Sequence, residues 1–191
     1  MSGADWDGRY REGTTPWDKG FGAPPLAEFL DRHPVAGRVL VPGCGRGHDV
    51  RLLAAHGAQP LGVDISGLAV EQARAFPKAG LEEYRVDDFL AAGFGANGFE
   101  WVFEHTCFCA IHPNERPAYV EAVRKSLKPG GHFLAIFYVN IENTEGPPFP
   151  ISEAGIDRLF HPLFETLESW MPGRSYPERS GRESMRLMRK K

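Results

Sequence analysis

Apolar positions along this chain alternate between two spacings, and the alternation predicts a series of strand–helix units. Short apolar-rich runs at 38–41, 59–63, 99–103 and 132–139 read as strands, and 99–103, apolar on both faces, suits a central parallel strand. Between them, apolar residues recur every three or four positions. One helix covers 49–56 and is closed by Gly57. Ser66 caps a second that reaches Phe76, with Ala69, Val70 and Ala73 on its inner face. A strand at 83–86 ends on Asp87-Asp88. Asn114 is placed to cap a helix carrying Tyr119, Val123 and Leu127, which Pro129-Gly130-Gly131 stops. After a proline-rich loop at 142–150, a helix over 153–163 and one or two strands (165–170 and 183–189) complete the pattern. An irregular arm, 1–24, and a short helix at 26–32 precede the first strand.

Repeated units of this kind imply an α/β fold, with a mostly parallel central sheet and helices on both faces. No internal repeat and no linker divides the chain, so 1–191 is expected to be a single domain. At 191 residues it is long enough to bury a sizeable core. The net charge of -3 argues against a protein built to hold a phosphate backbone, so no nucleic-acid partner is expected. The basic cluster Arg186-Leu187-Met188-Arg189-Lys190-Lys191 reads as a solvated tail or an edge strand. The charged N-terminus lacks the apolar stretch of a signal peptide, and the run at 133–139 is too short to span a bilayer. Three cysteines without an even framework suggest a reducing compartment. A soluble, cytoplasmic monomer is the expectation.

In a sheet of this kind, ligands bind beyond the carboxyl ends of the strands. The chemistry-bearing residues fall at those ends: Gly43, Gly45 and Gly47; Asp64; Asp87 and Asp88; Glu104 and His105; Tyr138. Glycines opening a helix, with a carboxylate one strand over, suit a small molecule that carries a ribose. The spacing is G-x-G-x-G, one residue tighter than the dinucleotide G-x-G-x-x-G, with His48 at the later position. Trp6, Tyr10, Trp17 and Phe21 are too many large aromatics for a free tail. His105, Cys107, Cys109 and His112 do not match finger spacing, and no metal site is expected. Cys44 has no base beside it in sequence, which argues against a catalytic thiol.

The G-x-G-x-G turn resembles the first motif of the class I S-adenosylmethionine-dependent methyltransferases. The flanks narrow the resemblance: Trp6; Thr15-Pro16-Trp17-Asp18; Val41-Pro42-Gly43-Cys44-Gly45-Arg46-Gly47-His48-Asp49; Glu104-His105-Thr106-Cys107-Phe108-Cys109-Ala110-Ile111; Leu127-Lys128-Pro129-Gly130-Gly131; and Gly146-Pro147-Pro148-Phe149. Together they are similar to the thiopurine methyltransferase family, in particular its thiol and halide methyltransferase branch. The chain departs at Val41, where many class I members carry an acidic residue.

The resemblance implies a Rossmann-like fold with S-adenosyl-L-methionine as cofactor. It also implies a lid of Trp6, Tyr10 and Trp17. Gly43, Gly45 and Gly47 would line the cofactor site, Asp64 would accept from the ribose hydroxyls, and Asp88 and Phe89 would hold the adenine. Glu104 would take the methionyl ammonium or, alternatively, a substrate proton. Tyr138 would face the acceptor, and His105 is either a general base or a structural residue. The implied reaction is direct methyl transfer to a small soft nucleophile: a thiol, bisulfide, thiocyanate or halide. A thiopurine- or tellurite-type methyltransferase is the alternative within the family. A nicotinamide-dependent oxidoreductase, disfavoured by the glycine spacing, and a non-catalytic nucleotide-binding protein are the alternatives outside it.

Overall fold

In the computed structural model, described for residues 4–91, 94, 98–141 and 146–191, seven strands form one sheet. The chain runs α1 (Trp6–Glu12), α2 (Pro24–Leu30), β1 (Arg38–Pro42), α3 (His48–Ala55), β2 (Gln59–Asp64), α4 (Gly67–Ala75), β3 (Glu83–Val86) and β4 (Phe99–His105). It continues through α5 (Arg116–Ser126), β5 (Leu127–Tyr138), α6 (Glu153–Phe160), β6 (Phe164–Trp170) and β7 (Glu183–Lys190). The strand order is β3-β2-β1-β4-β5-β7-β6, with β1 to β5 parallel and β7 antiparallel to both its neighbours.

The chain builds outward from β1 to β3 and then returns to lay β4 on the other side of β1. That reversal opens a crevice beyond the ends of β1 and β4. Pairing between them covers only Val39↔Trp101 and Leu40↔Val102, whereas β1 stays paired with β2 as far as Pro42↔Val63. Alternating side chains feed two cores. Leu40, Val102, Phe133, Ala135 and Phe137 pack under α5 and α6, on Tyr119, Val123 and Phe160. Val39, Val41, Phe103, Leu134 and Ile136 meet Leu26, Phe29, Val50 and Leu53 of α2 and α3 on the opposite face. Each large apolar side chain buried in this way contributes about 1.5–3 kcal/mol.

Four sequence expectations need correction. The basic C-terminal cluster is neither tail nor edge: β7 lies between β5 and β6, and Met185 and Met188 are fully buried. Its charges are matched by residues distant in sequence. The buried Arg186 pairs with Glu153 of α6, and Arg189 with Glu165 at 2.6 Å. Asn114 caps nothing: it sits inside a short 3-10 turn, Pro113–Glu115, whose cap is His112, and α5 starts at Arg116. That helix ends three residues before Pro129, because the buried Leu127 turns extended to pair with Phe99. α6 stops at Phe160, short of 163; Pro162 just beyond has no amide to continue the ladder. Of the expected loop at 142–150, residues 142–145 lie outside the described residues. Among the described residues no helix is long and apolar enough to cross a membrane.

Candidate active site

The turn after β1 is shaped by glycine. Gly43, Gly45 and Gly47 have φ of 60°, 52° and 71°, a region that side-chain-bearing residues rarely adopt. A Cβ on Gly43 would lie 2.7 Å from that of Cys107, and one on Gly45 would lie 2.9 Å from the Tyr10 hydroxyl. Gly47 is the N-cap of α3. The turn is tied to the neighbouring strand by Cys44 N donating to Val63 O at 3.0 Å. Gly45 N donates to Asp64 Oδ2 at 2.8 Å, and Ser66 N to Asp64 Oδ1 at 2.9 Å. Burial raises the Asp64 carboxyl above its usual range, against the pull of those two amides. A carboxylate offers about four acceptor positions, so Asp64 keeps capacity toward the crevice it lines.

The N-terminal arm closes over this turn. Asp5 caps α1, and Asp7 accepts from Ser66 Oγ at 2.5 Å and Leu68 N at 3.2 Å, docking α1 on the start of α4. The Ser66 hydrogen bond, with the Leu68 amide, holds the Asp7 carboxyl below its usual range. Asp18 takes Arg46 at 2.9 Å and His48 at 3.1 Å, and Lys19 pairs with Glu178 across the mouth. Trp17 stands edge-on to both Trp6 and Tyr10, with ring centroids 5.5 and 6.0 Å away, and its Nε1 donates to the Tyr10 hydroxyl at 3.2 Å. Arg9 lies 5.6 and 5.7 Å from the Trp6 and Trp17 rings.

Under the arm lies a cleft of about 280 Å³, near the lower bound of about 300 Å³ for small-molecule sites. The arm contributes Trp6, Tyr10 and Trp17 to it. The strand ends contribute Gly43, Asp64 and Tyr138, and Pro147-Pro148 and Arg179 close the remaining side. Thr106, directly after β4, also faces the cleft with φ of 64°. A β-branched residue in that conformation is strained, and such residues gather at functional sites. The Arg179 guanidinium lies 5.4 Å from the Tyr138 ring and 5.3 Å from that of Tyr176.

Six of the residues singled out from sequence therefore meet in the cleft: Trp6, Tyr10, Trp17, Gly43, Asp64 and Tyr138. Gly45 and Gly47 stand behind it as the turn. Asp88 lies past the end of β3, where its Oδ1 accepts from Leu90 N at 2.9 Å. The Phe89 side chain is buried in the core against Phe94 and Tyr119, away from the cleft. Glu104 does not face the cleft either. It is 1% exposed, receives Phe108 N at 2.7 Å and the Tyr119 hydroxyl, and burial pushes its carboxyl up to about 7. His105 is turned to the opposite face, with its Nδ1 2.7 Å from Asp49 and its Nε2 2.9 Å from Arg179. Neither ring nitrogen is open to an acceptor. Among the described residues no cluster of His, Cys, Asp and Glu is arranged to hold a metal. Arg179 escaped the sequence reading, since a lone arginine in an irregular stretch carries no periodic signal.

The family model for thiopurine S-methyltransferase matches residues 1–185. The chain belongs to that family. It is an S-adenosylmethionine-dependent methyltransferase. This methyltransferase is 34% identical over 172 residues to probable thiol methyltransferase 2 of Arabidopsis thaliana, covering 87% of this chain and 76% of the relative. It is 32% identical over 187 residues to thiocyanate methyltransferase 1 of Brassica oleracea, covering 94% and 82%. Its fold is that of the Burkholderia thailandensis 1,6-didemethyltoxoflavin-N1-methyltransferase crystal structure, solved with S-adenosylhomocysteine. The TM-score is 0.77 at 18% identity, over 96% of this chain and 84% of the other. The residues present fit the donor: a glycine cradle that Cβ atoms would fill, a buried carboxylate beside it, and three aromatic rings over the cleft.

Proposed function

We propose that this methyltransferase acts on a small anionic soft nucleophile, namely a thiolate, bisulfide, thiocyanate or halide. The observation that carries the reading is the far wall of the cleft. There Tyr138 and Arg179 offer a hydroxyl and a fixed positive charge, while the nearby His105 and Glu178 are already engaged by Arg179 and Lys19. The thiol and thiocyanate methyltransferase relatives support the same class.

When bound, S-adenosylmethionine supplies an electron-poor methyl carbon on a sulfonium centre. Asp64 is assigned to the ribose hydroxyls, and Asp88 with the main chain of Phe89 to the adenine. Trp6, Tyr10 and Trp17 turn π faces to the cation and exclude water. Tyr138 orients the incoming anion by donating its hydroxyl, and Arg179 draws it in and lowers the cost of stripping its hydration. A thiolate or halide already carries the attacking pair, so the protein has to align two reactants rather than remove a proton. Alignment alone supplies effective molarities of about 10⁵–10⁸ M. A monomer working on free small molecules in the cytoplasm, without nucleic acid, goes with this reading.

The test is a methyl-transfer assay over bisulfide, thiocyanate, iodide, small thiols and a thiopurine, with volatile products measured by gas chromatography. Turnover of small anions, with an acceptor KM that rises about tenfold or more in Arg179→Ala, supports the reading. Turnover of the thiopurine with every small anion inert would overturn it.

A further inference from the structure

We propose that His105 is a positioning residue: as a neutral imidazole it holds the Arg179 guanidinium at the acceptor end of the cleft and keeps it from closing on Glu183. The proposal rests on the reading above, in which Arg179 meets the anionic acceptor.

The hydrogen-bond chemistry fixes the state of the ring. Arg179 Nη1 lies 2.9 Å from His105 Nε2, and a guanidinium only donates, so Nε2 carries a lone pair. The ring proton is therefore on Nδ1, which donates to Asp49 Oδ2 at 2.7 Å. The other oxygen of Asp49 receives Ala23 N at 2.6 Å, which anchors the carboxylate to main chain. A chain of fixed groups thus runs from Ala23 through Asp49 and His105 to Arg179.

Glu183 shows what that chain prevents. Its carboxylate is 1% exposed and makes no hydrogen bond, although Arg179 Nη1 is 3.6 Å away. A buried arginine beside a buried carboxylate ordinarily closes to about 2.7–2.9 Å. Here the imbalance favours the imidazole, and the guanidinium stays over the Tyr138 and Tyr176 rings. Its charge is then still available to an anion arriving in the cleft. Without the imidazole acceptor, the buried Glu183 carboxylate 3.6 Å away is the strong partner at hand, and a closed ion pair would neutralise the cation beside Tyr138.

The experiment measures acceptor KM for thiocyanate, or its Ki against the acceptor used if it is not methylated, together with kcat and cofactor Kd by calorimetry. For His105→Phe the thiocyanate constant should rise about tenfold or more, with kcat and cofactor Kd changed less than about threefold. His105→Gln, whose side-chain carbonyl can accept from Arg179, should recover most of the loss. Glu183→Gln in the His105→Phe background should also recover it, because the competing anion is gone. Adding His105→Phe to Arg179→Ala should cost nothing further. A thiocyanate constant unchanged in His105→Phe but raised in Arg179→Ala would overturn the positioning role and leave the anion reading intact. A constant unchanged in Arg179→Ala would overturn the anion reading itself. Additive losses in the double variant, or no rescue by either glutamine variant, also overturn the proposal. If His105→Phe does not fold, His105→Asn, which cannot place an acceptor at the Nε2 position, takes its place in the same comparison.

Discussion

Asp64 and Glu104 are acidic residues at the ends of β2 and β4, the strands flanking β1, and their surroundings give them opposite work. Asp64 is clasped by two amides yet borders the cleft. Replacing it by alanine should raise the cofactor Kd about tenfold or more, about 1.4 kcal/mol, by calorimetry in a folded variant. Glu104 is sealed in the core, and its pKa of about 7 stands above the usual 4.5. Between those values the folded chain keeps a proton that the unfolded chain has released, so stability falls as pH rises through that window. Glu104→Gln keeps the shape and removes the titration. Thermal unfolding should show the variant losing less stability than the parent from about pH 5 to pH 8, by on the order of 2–3 kcal/mol. The sequence placed both acids at strand ends, because an acid ending an apolar run is visible in one dimension. It could not say which one turns inward, since the deciding groups, Tyr119 and Phe108, arrive from a helix and a turn that fold back later.

At the scale of elements, the arm and the glycine turn were legible for different reasons. The turn announces itself by a glycine spacing that backbone geometry demands. The arm was recognisable only by an excess of aromatics, and its docking through Asp7, Asp18 and Lys19 has no local signature. Trp17→Ala should weaken cofactor binding about tenfold while lowering the melting temperature only modestly, because its ring is half-buried and walls the cleft rather than the core. A fall in the melting temperature as large as that of a core truncation would reassign Trp17 to packing. Element ends were the weakest part of the reading. α5 and α6 stop where Leu127 enters the sheet and where Pro162 ends the ladder, and only the second cause is written locally.

For the molecule as a whole, the parallel half of the sheet follows from the strand–helix alternation, whereas the C-terminal half does not. Charge density at the chain end argued for exposure. The counter-charges that let β7 run through the sheet interior, Glu153 and Glu165, lie in other elements. Met188→Asp should therefore unfold the protein or cost at least about 3 kcal/mol, since an unpaired charge would enter a closed core. Leu81→Asp, at a side chain that is 68% exposed, should change unfolding free energy by less than about 0.5 kcal/mol. Comparable effects at both sites in denaturant titrations would contradict an interior β7.

Trp6, Tyr10 and Trp17 wall the cleft and also belong to the segment that crosses its entrance, tied down on α4, the glycine turn and Glu178. Passing the seated segment asks more of a bulky nucleoside than of a two- or three-atom anion, which has only to reach Tyr138. The expectation is therefore sequential traffic, with the donor first in and its demethylated form last out. Steady-state inhibition by S-adenosylhomocysteine should be competitive with the donor and noncompetitive with the anion; competition with both would mean that the gate stands open throughout the cycle.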